Sequence, residues 1–246
     1  MTDTPTLDAN TAASTNVSPS EIALFDQLAA RWWDREGEFK PLHDINPLRT
    51  NWIDQRCPVV EQIGLDVGCG GGLLCEALAQ RGARMTGIDM STQALQVAAA
   101  HLNESALTID YQHSTAEAWA EQYAEHYDFV TCLEMLEHVP DPASTVAACF
   151  RLVKPGGQVF FSTINRNPKS FLFAIVGAEH VLKLIPKGTH QYTQFIRPSE
   201  LARWVRQAGG HPEDLAGITY NPLTKIYKLK KDVSVNYLMA TAKPNA

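Results

Sequence analysis

From Gly64 onward the chain alternates short apolar runs with segments of helical periodicity. That alternation is the pattern of an α/β protein, in which successive strands lie parallel and the connecting helices cover the faces of the sheet. The apolar runs predict strands at Leu65 to Val67, Arg84 to Ile88, Thr108 to Tyr111, Phe129 to Leu133 and Gln158 to Ser162. Helical spacing predicts helices at Leu73 to Gln80, Thr92 to Leu102, Glu117 to Gln122, Ser144 to Val153 and Ser199 to Gln207. Two later β-like stretches, Ile218 to Tyr220 and Val235 to Thr241, bring the expectation to a seven-stranded, mostly parallel sheet, with the last strand open to an antiparallel setting.

Before Gly64 the pattern is different. Residues 1–17 are rich in Thr, Ser, Asn, Asp and Pro and predict a disordered tail. Ser18-Pro19-Ser20-Glu21 reads as a helix start, with Ser18 as N-cap, Pro19 at the first helical position and Glu21 placed to close a capping box. The helix is expected to reach about Arg31. Between Trp32 and Arg49, aromatic residues stand among Gly37, Pro41 and Pro47, too punctuated for a long regular element and too aromatic for a simple linker. Residues 18–60 therefore predict a helical cap or lid on a single domain spanning 18–246.

Composition narrows the function classes. A formal net charge of -6 supplies no broad basic field for phosphate backbones, so nucleic acid is not an expected partner. Five cysteines without paired spacing argue against a disulfide framework and a zinc knuckle, and fit a reducing, cytoplasmic setting. No charged n-region followed by an apolar run is present, so no signal peptide is expected.

The chemistry concentrates where the first strand meets the first helix of the sheet. Leu65-Asp-Val-Gly-Cys-Gly-Gly-Gly72 is a glycine-rich turn of the kind that brings backbone close to a ligand, with Gly68 and Gly70 at its centre. Asp89, at the end of the second strand, is placed to accept hydrogen bonds from ribose hydroxyls, a need shared by NAD and S-adenosylmethionine. Asp66 separates the two readings, because its carboxylate would repel a pyrophosphate but suits the α-ammonium of S-adenosylmethionine. Leu133, ending the fourth strand, is a candidate wall near the methionine portion, and Ser114 to Glu117 a candidate adenine loop.

Leu65 to Gly72, Glu134-Met-Leu-Glu-His-Val-Pro-Asp-Pro142 and Lys154-Pro-Gly-Gly157 resemble class I S-adenosylmethionine-dependent methyltransferases, which have a Rossmann-like fold. Arg31-Trp-Trp-Asp34, Glu38 to His43, Ile45 to Arg49, Phe160 to Arg166 and Pro186-Lys-Gly-Thr-His190 narrow the resemblance to the bacterial ubiquinone biosynthesis O-methyltransferases, over about Glu21 to Thr241. The resemblance implies methylation of a phenolic oxygen on a polyprenylated catechol (2-polyprenyl-6-hydroxyphenol) and on 3-demethylubiquinol. It also implies that Arg49, Gly68, Asp89 and Leu133 bind the cofactor, and a guanidinium at Arg49 suits the methionine carboxylate as a bidentate fork. Gly64 departs from the family, which has an aliphatic residue there, as does Leu133, which replaces a common Met.

Methyl transfer to a phenol requires in-line alignment and removal of a proton from the acceptor. Glu134, Glu137 and His138 follow the fourth strand, and on a helical turn positions i, i+3 and i+4 would share a face. Two carboxylates and an imidazole suit a divalent cation, and the resemblance points to magnesium; His138 as general base, with Glu137, is the other reading. Finally, Phe171 to Ile185 is the most apolar stretch, within an insertion at 165–197 flanked by Arg166, Lys169 and Lys187. It reads either as a buried cap helix or as an interfacial helix touching membrane lipid through 165–187, on the inner face of the cytoplasmic membrane. A complex with other quinone biosynthesis enzymes is compatible with such a substrate.

Overall fold

The computed structural model describes residues 16–170 and 194–245. An N-terminal cap of α1 (Pro19–Leu28), a short 3-10 turn at Ala29–Arg31 and α2 (Lys40–Asp54) precedes the sheet. The alternating region runs β1 (Ile63–Val67), α3 (Leu73–Ala79), β2 (Arg84–Asp89), α4 (Thr92–Ser105), β3 (Ile109–His113), α5 (Ala116–Gln122) and β4 (Tyr127–Leu133). It continues through α6 (Pro142–Leu152), β5 (Val153–Ile164) and a helical turn α7 (Pro168–Ser170). After the undescribed stretch come α8 (Pro198–Gln207), β6 (His211–Asn221), β7 (Ile226–Lys230) and β8 (Asn236–Ala242).

The strands form one sheet in the order β3-β2-β1-β4-β5-β8-β6-β7. Pairs among β1 to β5 are parallel, whereas β8 runs antiparallel between β5 and β6. Strand order reverses between β1 and β4, so the loops leaving their C-terminal ends splay apart and open a crevice, the ligand position of doubly wound sheets. Alternate side chains serve opposite faces. Val130 and Phe161 pack with Val146, Phe150, Leu201 and Val205 on one side, while Phe129 and Phe160 pack with Trp52, Ile53 and Leu74 on the other. Both faces are therefore dry, and the parallel strands read as nearly continuous apolar runs. At Gly64 an added Cβ would fall inside the Phe129 ring and against Met85, so the missing aliphatic side chain is replaced by an aromatic from the neighbouring strand.

Several expectations are corrected. The sheet has eight strands rather than seven: β7 closes a hairpin with β6 at the edge, and its outward lysines hide an apolar period carried only by Tyr227 and Leu229. The segment judged too punctuated for a long helix contains the 15-residue α2, with Pro41 in its first turn, where the missing N–H is harmless, and Pro47 inside it. Burial of Ile45, Trp52 and Ile53, together with an Asn46 Nδ2 bond of 3.0 Å to the Leu73 carbonyl, holds that helix despite the proline. Ser18 is the N-cap of α1 and Pro19 opens it, but no capping box forms, because Glu21 turns to His138. Asn16, inside the stretch expected to be disordered, is fixed by Glu117, Asp141 and Thr145. Residues 1–15 of that tail and most of the 165–197 insertion, including Phe171 to Ile185 and Pro186 to His190, lie outside the described residues. Among the described residues no helix is long and apolar enough to cross a membrane.

Candidate functional site

The crevice is a cavity of about 600 Å³ lined by the cap, the ends of β1, β2 and β4, and the β6–β7 hairpin. Its floor is the turn after β1, where Gly68, Gly70 and Gly72 take φ of 74°, 52° and 85°, a region that costs side-chain-bearing residues energy. The turn is also crowded from above. A Cβ at Gly70 or Gly71 would overlap the Trp32 indole, and Trp33 Nε1 donates to the Gly71 carbonyl at 3.0 Å. The Trp-Trp pair thus presses on the glycine turn, and Trp33 stacks on His101 of α4 at 3.4 Å between ring centroids.

Asp89 accepts from Gly70 N at 2.8 Å and from Ser91 N at 2.7 Å, one backbone donor on each oxygen. Those bonds aim the carboxylate at the cavity and leave lone pairs for a diol. Burial raises its pKa, against the lowering effect of the backbone donors. Asp66 is only 3% exposed and is held by the Thr131 hydroxyl at 2.7 Å. Burial pushes its pKa up to about 6, with Thr131 and the Arg49 charge pulling the other way.

Arg49, on α2, is 5% exposed and lines the same cavity. Among the described residues its guanidinium makes one hydrogen bond, a long one from Nη2 to Asn46 Oδ1 at 3.4 Å, and Nε has no partner. Burial lowers its pKa, opposed by the nearby charges of Glu134 and Asp66. A buried guanidinium with unused donors is costly unless a ligand completes it. Asp66, Gly68, Gly70, Asp89, Arg49 and Leu133 therefore meet around one space, with Ser114 to Glu117 on its border.

Glu134, Glu137 and His138 line the cavity but do not share a helical face. Glu134 adopts a left-handed φ of 53°, and only Leu136–His138 forms a single 3-10 turn, because the chain must leave β4 and reach Pro140 and Pro142 within a few residues. Each side chain takes a separate partner. Ser162 Oγ donates to Glu134 at 2.6 Å, Thr163 Oγ1 donates to Glu137 at 2.8 Å, and His138 Nδ1 lies 2.8 Å from Glu21 Oε2. Among the described residues no group of three acidic, His or Cys side chains is assembled to hold a metal, so the magnesium trio does not fit as arranged.

What the three do share is charge. Glu137 is 3% exposed, and burial followed by the Glu134 charge pushes its pKa up. For His138 burial opposes the imidazolium, but the Glu21 hydrogen bond and the charges of Glu137, Glu21 and Glu134 outweigh it and raise the pKa. The sequence marks Glu21 only as a capping residue. Its role as partner to His138 leaves no local sequence signal, because the two lie 117 residues apart.

The methyltransferase domain family matches residues 24–210. The ubiquinone biosynthesis O-methyltransferase of Saccharophagus degradans is 64% identical over 234 residues, covering 95% of this chain and 99% of the relative. That of Pseudomonas fluorescens is 64% identical over 226 residues, 92% and 97% of the two chains. Among solved structures, magnesium protoporphyrin IX methyltransferase from Synechocystis with bound SAH has a TM-score of 0.66 at 16% identity, covering 90% of this chain and 98% of that one. An S-adenosylmethionine-dependent methyltransferase from Thermotoga maritima has a TM-score of 0.65 at 18% identity, covering 91% of this chain and 99% of that one. These two likenesses establish the class I fold. On fold and sequence together, the chain belongs to the ubiquinone biosynthesis O-methyltransferases, a family of S-adenosylmethionine-dependent enzymes.

Proposed function

We propose that the cavity binds S-adenosylmethionine through Arg49, Asp66 and Asp89 and methylates a phenolic oxygen of polyprenylated catechol and demethylubiquinol intermediates. The observation that carries this reading is the unsatisfied, buried Arg49 guanidinium facing the same space as Asp66 and Asp89. Arg49 would take the methionine carboxylate, Asp66 the ammonium and Asp89 the ribose hydroxyls, with Gly68 and Gly70 giving the backbone access and Leu133 walling the methionine end. These contacts fix the sulfonium so that an acceptor oxygen can approach the methyl in line, which is the main demand of the reaction.

His138 is the proton acceptor in this reading. Its Nδ1 is engaged by Glu21, which leaves Nε2 for the phenol, and the surrounding carboxylates stabilise the imidazolium once formed. Glu137 supplies part of that field from its buried position beside Thr163. Magnesium rests on the donor types and the family resemblance alone, and the three side chains would have to leave Ser162, Thr163 and Glu21 to gather it. Loss of turnover on EDTA treatment, regained with magnesium, would overturn metal-free proton removal. A substrate confined to the bilayer also favours a peripheral position on the inner membrane surface and contact with other enzymes of the pathway.

His138→Gln tests the assignment. The expected outcome is a kcat lowered by about 10²–10⁴-fold with the S-adenosylmethionine Kd unchanged. Equal kcat in the variant would remove His138 from the chemistry.

A further inference from the structure

Four side chains, Trp33, His43, Glu76 and His101, stand behind the glycine turn after β1, and none of them lines the cavity. Trp33 Nε1 donates to the Gly71 carbonyl at 3.0 Å. Its indole lies flat on the His101 imidazole of α4, with 3.4 Å between ring centroids and 3° between the planes. His101 Nδ1 in turn donates to Glu76 Oε1 at 2.7 Å. Glu76 belongs to the first turn of α3, directly after the glycines, and is only 2% exposed. His43 of α2 packs against the edge of the Trp33 ring, 5.7 Å between centroids, and its Nε2 lies 2.9 Å from the Trp32 carbonyl. The neighbouring residue of the turn is held from the other side, where Gly70 N donates to Asp89 at 2.8 Å.

We infer that His101 is a positioning residue for the cofactor turn: anchored by Glu76, its ring fixes the Trp33 indole, and Trp33 fixes the Gly71 carbonyl. Four glycines between 68 and 72 open many backbone conformations to the turn, and a ligand that needs one of them binds more weakly unless the protein already holds it. Trp33 is only partly buried, so its single hydrogen bond leaves the ring free to swing, and the parallel imidazole removes that freedom. A carboxylate as buried as Glu76 requires a donor, and meeting that need sets the plane of the imidazole. Helix α4 thus acts on both sides of the turn. Ser91 at its N-terminus donates its backbone N–H to Asp89, and His101, three turns on, holds Trp33. The consequence for affinity rests on the cofactor reading, whereas the brace itself does not.

The test is isothermal titration of the full-length protein with S-adenosylmethionine, beside steady-state kinetics on a short-tailed demethylubiquinol and amide hydrogen exchange over residues 68–73 of the cofactor-free protein. Trp33→Phe removes the donor to Gly71, and His101→Ala removes the stack. Each is expected to raise the cofactor Kd and KM about three- to tenfold, the worth of one hydrogen bond, with kcat at saturating cofactor within about twofold of the parent. Because both act through one contact, Trp33→Phe/His101→Ala is expected to match the weaker single variant, not to multiply the losses. His101→Phe keeps the ring face but leaves Glu76 without its donor, so it should lower the unfolding midpoint yet bind the cofactor within about twofold of the parent. Exchange over 68–73 should quicken in Trp33→Phe and His101→Ala but not in His101→Phe. Parental affinity in folded Trp33→Phe and His101→Ala, multiplied losses in the double variant, or His101→Phe binding as weakly as His101→Ala would each overturn the proposal. Quickened exchange in the two variants of a parent that binds no S-adenosylmethionine would leave the brace standing and remove the cofactor reading.

Discussion

Replacing Arg49 separates what the guanidinium does for the ligand from what it does for the fold. The side chain is 5% exposed, and among the described residues its Nε lacks a partner and its one bond, to Asn46, is 3.4 Å long. If the methionine carboxylate completes it, the cofactor makes two charge-assisted hydrogen bonds at about 1.5–3 kcal/mol each. Arg49→Met should then cost roughly 3–4 kcal/mol of binding, since the pair shares one desolvation, or a few hundred-fold in Kd. Arg49→Lys keeps the charge beside Asp66 and Glu134 but cannot fork, so about 10–30-fold is expected. The apo protein behaves oppositely: removing a poorly partnered buried charge leaves the Arg49→Met unfolding midpoint equal or higher. Isothermal titration with S-adenosylmethionine and S-adenosylhomocysteine, with thermal unfolding of the apo proteins, reads both quantities. An Arg49→Met protein that binds the cofactor within threefold of the parent would refute the assignment.

Other outcomes follow from the same geometry. Because burial holds the apo Asp66 carboxyl near a pKa of about 6 and the cofactor's ammonium favours its ionised form, the S-adenosylmethionine Kd should be flat above that pH and rise toward tenfold per unit below it. A titration series showing no such rise would separate Asp66 from the ammonium. Gly70→Ala puts a methyl into the Trp32 ring at a φ of 52°, so cofactor affinity should fall, by about 1–3 kcal/mol; Trp32→Ala in the same chain should restore part of it, and equal affinity in Gly70→Ala would mean the cap does not press on the turn. Glu21→Gln removes one of the charges that raise His138, so the rising limb of kcat/KM with pH should move to lower pH. An unmoved limb would disconnect Glu21 from the base.

The parallel half of the sheet was legible because buried strands and amphipathic helices write their periods plainly, and the glycine turn after β1 because its glycines and acids fall at fixed offsets from strand ends. Asp66, Gly68, Gly70, Asp89 and Leu133 are where those offsets put them. The sequence could not show features decided at long range. Pro47 sits inside α2 because tertiary burial outweighs its local penalty. The Glu134 to His138 run looked like a helical face, yet its 3-10 geometry and the left-handed Glu134 come from the short path between β4 and the prolines after it. Strand β7 was missed because its outward residues are lysines, and Glu21 was read locally although its partner is on another element.

If a quinone-pathway phenol is methylated on oxygen in this cavity, the transferred methyl marks that oxygen. The direct test is incubation with S-adenosylmethionine carrying a ¹³C-labelled methyl and a short-tailed 3-demethylubiquinol, followed by mass spectrometry and carbon NMR of the product. One added label is expected, present as a methyl ether on the ring oxygen. Label on carbon or nitrogen, or no transfer by a protein shown to bind the cofactor, would contradict it.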